Sequence, residues 1–210
     1  MPLHFDIFPL FPQTLSISHL NTVNSKHVLK ILKKLPWQKT DFSEYYDVLG
    51  GNYVTTNYHI LKNFPGLEDI FIEHIDLHIK RILKYRTSFK ICSSWGTMTE
   101  PNGFSRLHYH TNSWLSAIYY PEGDPNFKVS FADYKTEWFK DEPIEYNTFN
   151  EAAKNFTVTK NMLILFPSSL RHQILPNKSK KNRYSIAFNI MPNGEFNYPS
   201  DSQLNLTINT

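Results

Sequence analysis

The 210-residue sequence has one cysteine, Cys92. A lone thiol closes no intramolecular disulfide and builds no thiolate metal site, and such sparing use fits a reducing compartment, so a cytoplasmic protein is expected. Glycine is scarce, 7 residues against 13 prolines, which excludes collagen-like repeats and flexible glycine-rich linkers. No apolar run approaches the roughly eighteen residues of a membrane-spanning helix. The first fifteen residues are apolar but interrupted by Pro2, Asp6, Pro9 and Pro12. They have no basic start and no small-residue cleavage site, so no signal peptide is expected. Charge of one sign is also lacking: the net is +3 and dispersed, unlike a dedicated nucleic-acid binder. No internal repeat, P-loop, dinucleotide fingerprint or nucleophile elbow occurs.

Aromatic residues are abundant, with 16 Phe, 12 Tyr and 4 Trp, more apolar mass than a disordered chain carries. The length suits one domain. Its character changes near residue 88. Before that point the spacing predicts a helix from Ser25 to about Leu35, ended by Pro36, and a longer one from about Gly66 to Lys84. Residues 1–87 are therefore read as a largely helical support. After it, short strands are predicted at 89–94, 107–110, 114–120, 128–132, 156–159, 162–166, 171–175 and 183–190, with turn-rich stretches between them. Eight such strands fit a jelly-roll or cupin-like core over 88–192, mainly β with flanking helices.

The informative stretch is Phe104-Ser-Arg-Leu-His108-Tyr-His110. Two histidines at i and i+2 on a strand project to one face, so both can reach one metal. A third histidine, His172, lies on a distant predicted strand. In Arg183-Tyr-Ser185-Ile-Ala-Phe-Asn189 the alternation puts Arg183, Ser185 and Ala187 on one face. An arginine pointing into a barrel needs an anion, and no acid is evident in the adjoining strands, so a ligand carboxylate is the candidate. His74 and His78 form a rival pair at i, i+4 beside Glu73, but Glu73 precedes the pair instead of lying between its members, so both are read as helix-surface residues. Lys178, Lys180 and Lys181 read as a solvated hairpin tip. Trp95 and Trp114 read as packing residues, either of which could line a substrate mouth.

Three blocks taken in order, Trp95…His108-Tyr-His110-Thr-Asn112-Ser-Trp-Leu-Ser116-Ala-Ile-Tyr-Tyr120, Leu163-Ile-Leu-Phe-Pro-Ser168…His172, and Arg183-Tyr-Ser-Ile-Ala-Phe-Asn189, resemble a family of 2-oxoglutarate- and iron(II)-dependent oxygenases common in marine bacteria and their phages. The likeness spans roughly residues 50 to 190 and includes Thr56-Asn-Tyr-His-Ile-Leu61. It implies a double-stranded β-helix, iron(II) as cofactor and 2-oxoglutarate as cosubstrate, with O2 and an unknown substrate, a protein side chain or a small molecule. His108 then matches the first metal ligand and His172 the distal one. Arg183 matches the 2-oxoglutarate clamp, Ser185 its hydroxyl partner, and Ser116 and Tyr120 further cosubstrate contacts. His110 stands where the superfamily usually has a carboxylate. A His-x-His form is familiar in this family, so His110 is taken as third ligand and Asp133 as reserve carboxylate.

The resemblance implies a dioxygenase, most naturally a hydroxylase. Two other readings stand beside it. One is a three-histidine cupin-type enzyme that does not use 2-oxoglutarate; the other is a non-catalytic jelly-roll binding or virion protein. The Arg183-x-Ser185 strand separates the first from the second, and the histidine triad separates both from the third. Substrate choice in such barrels lies in mouth loops, here about 136–155.

Overall fold

The structure, a computed structural model, describes residues 6–40, 50–132, 143–196 and 204–208. Among them the chain runs β1 (Ser16–His19), α1 (Ser25–Leu32), β2 (Trp37–Lys39), β3 (Asn52–Thr55), a 3-10 turn (Ile60–Asn63) and α2 (Leu67–Leu77). The β-rich part follows, with β4 (Phe89–Thr99), β5 (Leu115–Tyr120), β6 (Lys128–Ala132), β7 (Ala153–Thr157), β8 (Met162–Pro167), β9 (Arg171–Ile174) and β10 (Arg183–Pro192). A small hairpin of β11 (Gly194–Phe196) and β12 (Leu204–Leu206) ends it.

Seven strands form the major sheet in the order β1-β8-β5-β10-β4-β3-β2, and β7-β6-β9 form the minor one. The pairs within both are antiparallel. This is the double-stranded β-helix. The major sheet is buried on both faces, which is why β5 and β8 read as nearly continuous apolar runs instead of alternating ones. One face carries Leu115, Tyr119, Leu163, Leu165, Ile186 and Phe188 against Phe71 and Ile75 of α2. The other turns Ile118, Tyr120, Ile164 and Phe166 toward Val129 and Phe131 of the minor sheet. Phe71 stacks on Phe188 at 4.8 Å between ring centroids, which fixes α2 against the outer face.

Several expectations need correction. The helical reading of the N-terminal third misses β1, β2 and β3, which extend both edges of the major sheet. These strands are three or four residues long, too short for a two-residue period to stand out, and they form because the long β4 and β8 offer paired edges. Helix α1 is capped by Asn24, whose Oδ1 accepts from the His27 amide at 3.2 Å, and not by Ser25. The second helix starts after Gly66, whose φ of 76° suits glycine, and its α-helical part ends at Leu77. His78–Ile82 continue as a π-type turn closed by the Leu83 amide on the His78 carbonyl at 3.0 Å. His78 is buried there and not on the surface, with no hydrogen bond to either ring nitrogen among the described residues.

Candidate metal and cosubstrate site

The expected strand at 107–110 is irregular. Its amides step down the minor-sheet edge: Ser105 donates to the Ile174 carbonyl at 3.0 Å, His108 to His172 at 3.0 Å and His110 to Ser168 at 2.9 Å. Ladder pairing along it reduces to one antiparallel bridge, His108 with His172. The segment turns because it must leave this edge and enter β5, whose register is set by β8 and β10.

That course brings three imidazoles together. Ring centroids lie 4.3 Å apart for His108 and His172, 5.1 Å for His110 and His172, and 5.5 Å for His108 and His110. One ring nitrogen from each lies within 4.8 Å of the others, the one such cluster of metal-binding side chains among the described residues. The Nδ1–H of His108 donates to the Arg106 carbonyl at 2.7 Å, and that of His172 to the Leu170 carbonyl at 3.2 Å. Because a carbonyl only accepts, both rings keep Nε2 as the free lone pair. Burial pulls the pKa of His172 down to about 3, with further lowering from His108 and His110. Burial lowers that of His110 as well, partly offset by Asn189. Imidazoles with converging lone pairs suit a divalent cation.

Beside them opens a cavity of about 370 Å³, lined largely by apolar side chains, with Trp95, Ile118, Ala187, Thr97, Thr99 and Ser185 on its sheet side. Trp95 lies 5.5 Å from the His110 ring and 6.0 Å from Tyr58, so it belongs to the mouth. Trp114 instead packs against the helical core and Tyr85.

Arg183 points inward as expected and is 2% exposed. Its guanidinium donates to Thr99 Oγ1 at 3.0 Å and to the Lys128 carbonyl at 3.3 Å, with the Phe127 ring 5.9 Å away. No ion pair among the described residues involves it. Burial lowers its pKa to about 10, which leaves it a cation at neutral pH. Tyr120 is buried with it, and the Tyr120 hydroxyl has no hydrogen-bond partner among the described residues. Burial raises the Tyr120 pKa to about 12, offset in part by Arg183, so the phenol stays protonated. A buried cation with no acid among the described residues, beside a protonated hydroxyl with no partner among them, suits an anionic ligand.

Ser185 lines the cavity and pairs with Thr97 Oγ1 at 2.5 Å. Ser116 departs from its expected role. Its hydroxyl faces His110 Nδ1 at 3.2 Å, Ser168 Oγ at 2.8 Å and Asn189 Oδ1 at 2.9 Å, so it supports a histidine instead of reaching the cavity. Asp133 lies outside the described residues. The motif pattern does not single out Thr99 or Asn189. Strand alternation from Arg183 places Asn189 on the inward face, whereas Thr99 enters only through its pairing with Arg183 across β4 and β10.

Residues 93–189 match the model of a family described as "Putative 2OG-Fe(II) oxygenase". This stretch, just under half of the chain, is similar to 2-oxoglutarate/iron(II) oxygenases. Iron(II) is the cofactor of this oxidoreductase family and 2-oxoglutarate the cosubstrate. Solved structures with the same fold include the epimerase SnoN in complex with Fe3+, alpha ketoglutarate and nogalamycin RO, at 9% identity over 85% of this chain and 79% of that one, TM-score 0.59. HygX from Streptomyces hygroscopicus, with nickel, 2-oxoglutarate and hygromycin B, is 10% identical over 86% and 83%, TM-score 0.53. A Pseudomonas putida prolyl-4-hydroxylase is 14% identical over 84% and 92%, TM-score 0.53. No curated protein matches the sequence. Among the described residues no helix is long and apolar enough to cross a membrane.

Proposed function

We propose that the chain is a 2-oxoglutarate/iron(II) oxygenase, a hydroxylase whose iron(II) is held by His108, His110 and His172 and whose 2-oxoglutarate is clamped by Arg183. Residues 1–210 act as one domain, and the lone, half-buried Cys92 suits the cytoplasm. The observation that carries the reading is the fully buried Arg183, which among the described residues has no acid, next to a Tyr120 hydroxyl without a hydrogen-bond partner among them.

The division of labour follows from the side chains. Iron, when bound, supplies the oxidising power that couples decarboxylation of 2-oxoglutarate to C–H oxidation. Burial keeps His172 neutral. The Arg106 and Leu170 carbonyls orient the rings of His108 and His172. Arg183 offers a planar fork to the distal carboxylate of the keto acid, and Tyr120 donates its hydroxyl there. Thr99, which lines the cavity, accepts a hydrogen bond from the guanidinium and so links Arg183 to it. The largely apolar cavity wall lowers the local dielectric, which strengthens each of these charge-assisted contacts.

One observation favours a second reading: His110 in place of a carboxylate leaves a three-histidine set, the donor pattern of cupin enzymes that need no keto acid. Succinate release from 2-oxoglutarate with iron(II) and ascorbate tests the choice. Release that rises with a hydroxylatable substrate is the expected result. No release, together with no affinity for 2-oxoglutarate in the metallated protein, would favour the three-histidine enzyme.

A further inference from the structure

We infer that Asn189 is the positioning residue that makes His110 a metal ligand; the inference rests on the three-histidine reading above. His108 and His172 each have a main-chain carbonyl at Nδ1, at 2.7 and 3.2 Å. Their tautomers are therefore set by the backbone, and each turns Nε2 inward whatever the side chains nearby do. His110 has no carbonyl there. Its Nδ1 meets two side chains, Asn189 Oδ1 at 2.6 Å and, farther off, the Ser116 hydroxyl at 3.2 Å, whose proton goes to the same Oδ1.

A carboxamide has an accepting end and a donating end. With Oδ1 toward the ring, Nδ1 carries the proton and Nε2 keeps its lone pair for the metal. With the amide reversed, Nδ1 would accept, Nε2 would carry the proton, and the third ligand would be lost. The amide therefore decides whether the centre has two nitrogen ligands or three. Its position is fixed by the sheet. Asn189 stands opposite Ser116 in the β10–β5 ladder, and the Ser116 hydroxyl donates to the same Oδ1 at 2.9 Å. Ser168, which contributes its carbonyl to the His110 amide, lies 2.8 Å from Ser116 on the other side. The set spans β5, β10 and the end of β8, so the ring is held from three sides.

Aspartate is the decisive substitution, because it has two accepting ends and cannot adopt the reversed state. Leucine has similar bulk and no polar end. Cobalt(II) affinity, by calorimetry and visible absorption under argon without 2-oxoglutarate, is compared in wild type, Asn189→Leu, Asn189→Asp, His110→Ala and the double variant His110→Ala/Asn189→Leu. Asn189→Leu should bind cobalt about 10–100-fold more weakly, the loss typical of an outer hydrogen-bond partner. Asn189→Asp should bind as tightly as wild type or more tightly. In the His110→Ala background, Asn189→Leu should cost nothing further, since its effect passes through that ring.

Equal affinity in wild type and Asn189→Leu overturns the inference. So does an equal loss in the Leu and Asp variants, or an undiminished loss in the His110→Ala background; either would mark packing instead of hydrogen bonding. If Asn189→Leu does not fold, Asn189→Ser repeats the comparison, being too short to span the contact. Wild type that binds no cobalt rejects the three-histidine centre itself, and the inference with it. Binding unchanged by His110→Ala rejects His110 as ligand and leaves Asn189 nothing to position.

Discussion

His108 and His172 exchange a pair of main-chain hydrogen bonds, at 3.0 and 2.8 Å, and their rings stand 4.3 Å apart. Opposed residues in an antiparallel pair send their side chains to the same face. One local bridge thereby joins two imidazoles from distant parts of the chain before any metal arrives.

Substituting either member of that pair should remove a proposed metal ligand. His108→Ala and His172→Ala should each weaken iron(II) or cobalt(II) binding by at least about 100-fold, more than the loss typical of an outer partner. Titration under argon measures this, with far-UV circular dichroism to show that the fold persists. Unchanged affinity in His172→Ala would remove it from the metal set.

Arg183→Ala should weaken 2-oxoglutarate binding by one to several powers of ten, since each charge-assisted hydrogen bond contributes about 1.5–3 kcal/mol. Metal affinity should change little. Arg183→Lys should restore only part, because an ammonium lacks the planar fork. Calorimetry on the manganese-substituted protein under argon avoids turnover. Equal cosubstrate affinity in wild type and Arg183→Ala would end the clamp assignment.

His78 should make the fold acid-sensitive. It is 3% exposed, its nitrogens lack partners among the described residues, and burial lowers its pKa below 6.5. The folded state holds it neutral while the unfolded chain binds a proton near pH 6.5, so stability is full above that pH and falls as acid is added. His78→Leu should raise the melting temperature at pH 5 more than at pH 8. An identical shift at both pH values would show that the ring titrates alike in the two states.

Gly123→Ala should cost about 1–3 kcal/mol through overpacking. A Cβ there would lie 2.5 Å from the Lys160 amide nitrogen and 2.6 Å from the Thr159 backbone, neither of which can rotate away. Urea denaturation reads the loss as a lower midpoint at unchanged slope. A midpoint equal to wild type would mean that the β5–β6 turn and the 159–160 turn can part without cost.

The residues that carry chemistry are legible in the sequence because strand alternation is local. Arg183, Ser185 and Ala187 sharing an inward face needs only a two-residue period, and β10 keeps it from Arg183 to Asn189, before the ladder shifts at Asn189/Ile190. The long strands and both helices are legible for the same reason, their periods being repeated often enough to read. The short β1, β2 and β3 are not, because nothing in three or four residues distinguishes a strand from a loop until a neighbour's edge is present.

What only the tertiary structure decided is which polar groups meet. Ser116 and Tyr120 sit on the same strand and look alike in the sequence as cosubstrate contacts. The register with β8 and β10 gives the Ser116 hydroxyl to His110 and Asn189, and leaves the Tyr120 hydroxyl without a partner among the described residues, in the core with Arg183. His78 is expected on the helix surface with His74, yet it stands three residues after Ile75 on the buried face of the helix and lies in the interior. Sequence determines the face of a strand on which a side chain stands. The partner it finds there depends on register, bulges and turns, which are settled by packing between segments far apart in the chain.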